Sequence, residues 1–157
     1  MNAILEAHDA GEDARQFLTF RLGGEEYGLG ILAVQEIRGW SPVTVVPHAP
    51  RWLLGVINLR GVVVPVIDLR LKFALERADY NEFTVVIILN VGARVVGIVV
   101  DGVSDVITLR AEQIRPEPSL GGHADTSCIT GFATVDERLR ILIDIERLMA
   151  GVANEVL

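Results

Sequence analysis

The sequence predicts an all-β fold: two repeated β modules packed on one hydrophobic core, with helical turns only at the connections. Half of the 157 residues are hydrophobic but only 6% are aromatic, so Val, Ile and Leu carry the apolar content, as suits pleated strands with large burial. Short runs rich in β-branched residues alternate with Gly-bearing turns. The pattern also repeats. An offset of 69 lays Gln16–Gly23 on Val85–Gly92, Tyr27-Gly28-Leu29 on Val96-Gly97-Ile98, and Val34–Ile37 on Val103–Val106. An offset of 76 lays Gly55 on Gly131, Leu59 on Val135, and Ile67-Asp68-Leu69 on Ile143-Asp144-Ile145. The difference fits extra length in the Pro116–Ser127 loop. Each module is too small to bury its own apolar face, and roughly five short strands apiece suggest two small closed or nearly closed barrels.

In chain order, residues 1–14 have mixed polarity and no period and read as a tail. The alternation from Gln16 to Leu22 predicts a strand, and Gly23-Gly24 a hairpin turn into a second strand over Glu25–Gly30. Ile31–Ile37 fits either a short helical turn or another strand. Pro42, Pro47 and Pro50 make Trp40–Pro50 an extended connection. Pro50 then suits the start of one helical turn over Arg51–Leu54. Leu54–Leu69 reads as two strands around a turn, and Asp68 as the cap of a short helix through Phe73. Glu76–Glu82 is a polar link, and a second set of strands opens at Phe83. The expected organisation is a domain over 15–150, its modules at about 15–75 and 83–145 with the terminal segment able to cross over. Residues 151–157 form a tail.

The Leu54–Leu69 hairpin is the organising stretch. Its turn lifts one cation, Arg60, out of an uncharged run, and a turn whose flanks are locked in a core holds a side chain in a fixed pose. In the second module Asn58-Leu59-Arg60-Gly61 becomes Thr134-Val135-Asp136-Glu137. Acids replace the cation and the glycine is lost, as expected if the two surfaces face different partners.

A net charge of -7 argues against nucleic acid and anionic membrane surfaces, and the arginines form no stripe. No apolar run reaches the roughly 18 residues that span a bilayer, and the acidic N-terminus lacks a signal-peptide core. A lone cysteine, Cys128, fits a reducing compartment. These features point to the cytosol. His8, His48 and His123 lack metal-ligand spacing, so no metal is expected. Gly23, Gly24, Gly28 and Gly30 form neither a dinucleotide fingerprint nor a phosphate loop. Asp68 and Asp144 are repeat equivalents, which favours helix capping over acid–base work.

From Gln16 to Leu148 the chain resembles the CheW family of chemotaxis coupling proteins. The resemblance rests on Gly28–Ile37 (GLGILAVQEI), Gly55–Gly61 (GVINLRG) with Val64–Leu69 (VPVIDL), Val95–Val106 (VVGIVVDGVSDV) and Ala111–Ile114 (AEQI). It implies two five-stranded SH3-like β-barrels on a shared core and a non-catalytic adaptor without cofactors. The implied partners are the regulatory domain of a CheA-type histidine kinase and the cytoplasmic tip of methyl-accepting chemoreceptors, with membrane association only through the receptors. Val34, Glu36, Asn58, Arg60 and Gly61 match positions associated with partner contacts in that family. Val85 and Val103 match apolar positions linked to a receptor-facing groove between barrels.

Simpler readings stand beside these. Arg60 alone is a solvated turn arginine, although its planar fork suits carboxylates and carbonyls. Val34, Val85 and Val103 read individually as core residues, Glu36 as a surface acid, and Asn58 and Gly61 as residues that serve the turn. A small-molecule or catalytic barrel would need convergent polar groups between the modules, where the valines offer few. A structural tandem barrel with no signalling role is the third reading.

Overall fold

The computed structural model describes residues 14–75, 78–116 and 128–156, with side chains through residue 150. The strands are β1 (Arg15–Leu22), β2 (Glu25–Gly30), β3 (Val34–Gly39), β4 (Leu53–Leu59), β5 (Val62–Asp68), β6 (Val85–Val91), β7 (Arg94–Val100), β8 (Gly102–Leu109), β9 (Ile129–Val135) and β10 (Arg138–Ile143). Among the described residues two α-helices accompany them, α1 (Leu69–Lys72) and α2 (Ile145–Val156). The repeat read from the sequence is real. At the offset of 69 β1, β2 and β3 fall on β6, β7 and β8, and at 76 β4 and β5 fall on β9 and β10.

The repeat units are not the sheet units. A central sheet has the order β3-β6-β7-β5-β4, and a terminal sheet, built from both ends of the chain, has β8-β1-β2-β10-β9. The leading hairpin of each repeat is exchanged into the other sheet, where it makes the parallel pairings β2 with β10 and β5 with β7. The repeats at about 15–75 and 83–145 therefore do not coincide with the sheets, and the segment each exchanges is its leading hairpin. Sequence offsets identify equivalent residues, whereas partner choice is decided by which faces can be buried.

The burial pattern gives that reason. On β6, Ile87 and Leu89 face a core shared by both sheets, while Val86 and Ile88 face a cluster inside the central sheet with Val64, Val66 and Val99. On β1, Leu18 and Phe20 face the shared core and Phe17 faces an inner cluster with Ile107, Leu109 and Leu142. Strands buried on both faces read as continuous apolar runs rather than alternations. This is the SH3-like two-sheet fold that the sequence led us to expect.

Each sheet's two edges are linked by one bridge. Thr44 exchanges both backbone hydrogen bonds with Val56 on β4 at 2.8 and 2.9 Å, and Arg115 does the same with Phe132 on β9. Both bridges require glycine. A Cβ on Gly55 would lie 2.1 Å from the Thr44 carbonyl oxygen, and one on its repeat equivalent Gly131 would lie 2.7 Å from that of Arg115.

Local expectations fare unevenly. Ile31–Ala33 is a 3-10 turn that runs into β3. Arg51–Leu54 is not a helical turn: the Leu53 N–H donates to the Pro50 carbonyl at 3.0 Å and β4 starts at once. Asp68 caps α1 through the Arg70 N–H, and Asp144 accepts from the N–H groups of Glu146 and Arg147 at the start of α2. The second helix exceeds a connecting turn and occupies much of the expected 151–157 tail. Ile145, Leu148 and Met149, at helical spacing, bury one face in the shared core. The expected 1–14 tail, save its last residue, and most of the Pro116–Ser127 loop lie outside the described residues.

A buried arginine locks the sheets together. The Arg70 guanidinium donates from Nε and Nη2 to both oxygens of Asp68 at 2.9 Å, and from Nη1 to Asp101 Oδ1 at 2.8 Å and the Asp79 carbonyl at 2.6 Å. Asp101, between β7 and β8, accepts in turn from the Gly23 N–H at 2.8 Å. The knot therefore joins β5 and β7 of the central sheet to the β1–β2 turn of the terminal one. Burial alone would lower the Arg70 pKa, but the carboxylates of Asp68 and Asp101 more than reverse this. Tyr80 packs tilted against Trp40 and donates its hydroxyl to Asp68 Oδ2, and burial and that carboxylate push its pKa up to about 12.

Two stability outcomes follow, both read by urea denaturation. Arg70→Met leaves the Asp68 charge buried and unpaired and costs roughly 3–5 kcal/mol; a loss well under that range would mean the knot is incidental. Gly55→Ala costs roughly 1–3 kcal/mol, whereas Gly39→Ala, with open space around its Cβ position, stays within about 0.5 kcal/mol of the parent.

Candidate functional site

The β4–β5 turn places Arg60 and Gly61 at φ 50° and 87°, the pair of left-handed residues that matches strand twist in a tight hairpin. Gly61 tolerates this freely, and Asn58 Oδ1 accepts its N–H at 2.9 Å, closing the turn. The equivalent β9–β10 turn keeps the shape, with Asp136 and Glu137 also at positive φ. Turn geometry is therefore common to both copies. The cation belongs to the first.

Arg60 has a partner on the far edge of its own sheet. Its Nη2 lies 2.6 Å from Glu36 Oε2, and Arg38 Nη1 lies 3.3 Å from Glu36 Oε1. Glu36 stands on β3 and Arg60 at the tip of β4, the two edge strands of the central sheet, so the ion pair spans the gap between edges. The Arg60 side chain is 64% exposed and that of Glu36 27%. The hydrogen bond from Arg60, helped by Arg38 and opposed by partial desolvation, holds the Glu36 carboxyl below the usual glutamate range.

The structure gathers four of the seven site residues read from the sequence into this corner: Glu36, Asn58, Arg60 and Gly61. Val34 shares β3 with Glu36, but a register shift separates them, and it packs half-buried against the shared core. Val85 on β6 and Val103 on β8 are also half-buried against that core, one from each sheet. They are rim residues of the junction and are not part of the charged corner.

Sequence reasoning missed three neighbours. Arg38 sits two residues beyond Glu36 on the same exposed strand, a signal that alternation could have supplied. Val62 and Val63 follow the turn and are exposed, whereas Val64 is fully buried. Their apolar run had read as core throughout. The corner thus presents guanidinium N–H donors, a carboxylate and bare aliphatic carbons, which is contact chemistry. Among the described residues no three His, Cys, Asp or Glu side chains gather as a metal site, and no helix is long and apolar enough to cross a membrane.

A carboxylate with a lowered folded-state pKa contributes its stabilisation fully above the unfolded value and loses it as pH falls through the folded one. The Glu36 contact is accordingly intact at neutral pH and into mild acid. In an NMR titration of the side-chain carboxyl, Arg60→Ala should move the Glu36 midpoint up toward that of an ordinary glutamate; an unmoved midpoint would contradict the pairing.

A family model described as the CheW-like domain matches residues 16–153. A chemotaxis protein CheW from Klebsiella aerogenes is 57% identical over 143 residues, which cover 90% of this chain and 86% of that protein. A probable chemotaxis protein CheW from Rhizobium etli is 40% identical over 141 residues, 90% of this chain and 91% of the other. Among solved structures, the scaffolding protein TtCheW from Thermoanaerobacter tengcongensis aligns with a TM-score of 0.77 at 32% identity, covering 82% of this chain and 88% of that one.

Proposed function

This chain belongs to the CheW-like family of chemotaxis scaffolding proteins, and we propose that it is a non-catalytic adaptor coupling chemoreceptors to a CheA-type histidine kinase. The carrying observation is the Arg60–Glu36 corner, a charged, exposed contact surface mounted on a sheet that cannot shift independently of its neighbour. Arg60, Glu36, Asn58 and Gly61, with Val34 on the same strand as Glu36, make the kinase-facing contact. Val85 and Val103, on the rim of the shared core, serve the receptor tip. The protein acts at the inner face of the membrane through the receptors, without a cofactor.

An adaptor of this kind needs two modest interfaces rather than one tight one. Transient signalling contacts bury about 1,200 Å² or less, and repetition in an array supplies avidity. Transmission further requires that binding differ between kinase-on and kinase-off receptor states, since equal affinity for both would shift nothing.

Arg60→Glu should remain folded, because it alters an exposed turn, yet place two acids side by side and weaken kinase capture roughly tenfold or more, about 1.4 kcal/mol or more. Unchanged capture by a folded variant would sink the assignment of the corner. The function itself is tested by reconstitution with receptor and kinase. Autophosphorylation should come under receptor control only when this protein is added; control without it, or none with it, would contradict the proposal.

A further inference from the structure

The repeat sets Arg140 over Val64, and the contrast between them is chemical. Val64 is fully buried among the apolar side chains of the central sheet. Arg140 occupies the same rank of the terminal sheet, is equally buried, and carries a guanidinium. Its Nη1 donates to the Val135 carbonyl at 3.2 Å, while Nε and Nη2 have no hydrogen-bond partner among the described residues. Those two nitrogens are one edge of the planar fork, two parallel N–H groups spaced for two oxygens of one anion. Arginine keeps its proton at any ordinary pH. Leaving it buried with that edge unmatched is strongly unfavourable.

The surroundings carry charge where the other copy carries none. Arg140 pairs across the ladder with Glu26, and Glu26 with Arg21, so all three share one face of the sheet. Their equivalents in the central sheet are Val64, Val95 and Asn90. The Glu26 carboxylate is already engaged, accepting from Ser104 Oγ at 2.9 and 3.0 Å and from Arg138 Nη1 at 3.4 Å. Among the described residues no carboxylate is bonded to Arg140, so its Nε–Nη2 edge stands unmatched. We infer that the inner face of the terminal sheet is a binding site for a small oxyanion, phosphate or carboxylate, gripped by the Nε–Nη2 edge of Arg140. Entry is through local opening at β9, the edge strand beside β10.

The direct test follows the arginine Nε–H signals of the whole protein by NMR, at constant ionic strength, while chloride is exchanged for inorganic phosphate or for acetate. The Arg140 signal, identified by its loss in Arg140→Met, should shift saturably with phosphate, acetate or both. Response to phosphate alone specifies a phosphoryl ligand, and response to both specifies any paired-oxygen anion. The thermal midpoint should also climb with the logarithm of anion concentration in the parent and not in Arg140→Met. No shift with either anion, or equal stabilisation of Arg140→Met, would overturn the site. Should Arg140→Met fail to fold, backbone-linked assignment of the Nε–H in the parent leaves the titration decisive.

Discussion

Everything in this molecule depends on a core that neither sheet owns. Leu18, Phe20 and Leu29 approach it from the terminal sheet and Ile67, Ile87, Leu89 and Ile98 from the central one, with Leu148 and Met149 closing it. Each sheet also has an apolar cluster of its own, so its inner strands are buried on two faces. A module cut at the repeat boundary would lose its exchanged hairpin and expose one side of that core. A sheet excised whole would still expose that side. Interleaving makes the two modules a single object.

The Arg70 knot adds direction to that apolar adhesion. Hydrophobic packing tolerates small rotations of one sheet on the other, whereas a guanidinium bonded to two carboxylates and a carbonyl does not. Because Asp68, Asp101 and Gly23 come from different corners of the fold, their mutual geometry is fixed together. A scaffold profits from this. On the proposed assignment, strain arriving at a rim valine would reach the Arg60 corner through a body with few soft joints, the mechanical condition for coupling two interfaces.

Much of this could be read from the residues themselves. The repeat was visible because Gly55 and Gly131 are each required by a bridge, and because Asp68 and Asp144 each cap a helix. Such positions resist drift for reasons of backbone and hydrogen bonding. Hairpin exchange was not visible, since the pairing of β2 with β10 or of β6 with β3 leaves no trace in the offset. The Arg60–Glu36 contact joins residues 24 apart in sequence on opposite sheet edges, which only curvature brings together. Asp68 was legible as a cap but not as the seat of Arg70, because a charged residue in the first turn of a helix ordinarily faces water. The helix after Ile145 was obscured by Gly151, which interrupts its apolar pattern.

The claim that the sheets form one cooperative body is open to native-state hydrogen exchange. If it holds, the slowest amides of β1 and β2 and those of β6 and β7 exchange through the same global opening, with equal free energies and equal dependence on denaturant. If instead one sheet's amides exchange through a separate opening of lower free energy while the other's remain protected, the shared core does not unify the fold, and the account built on it is wrong.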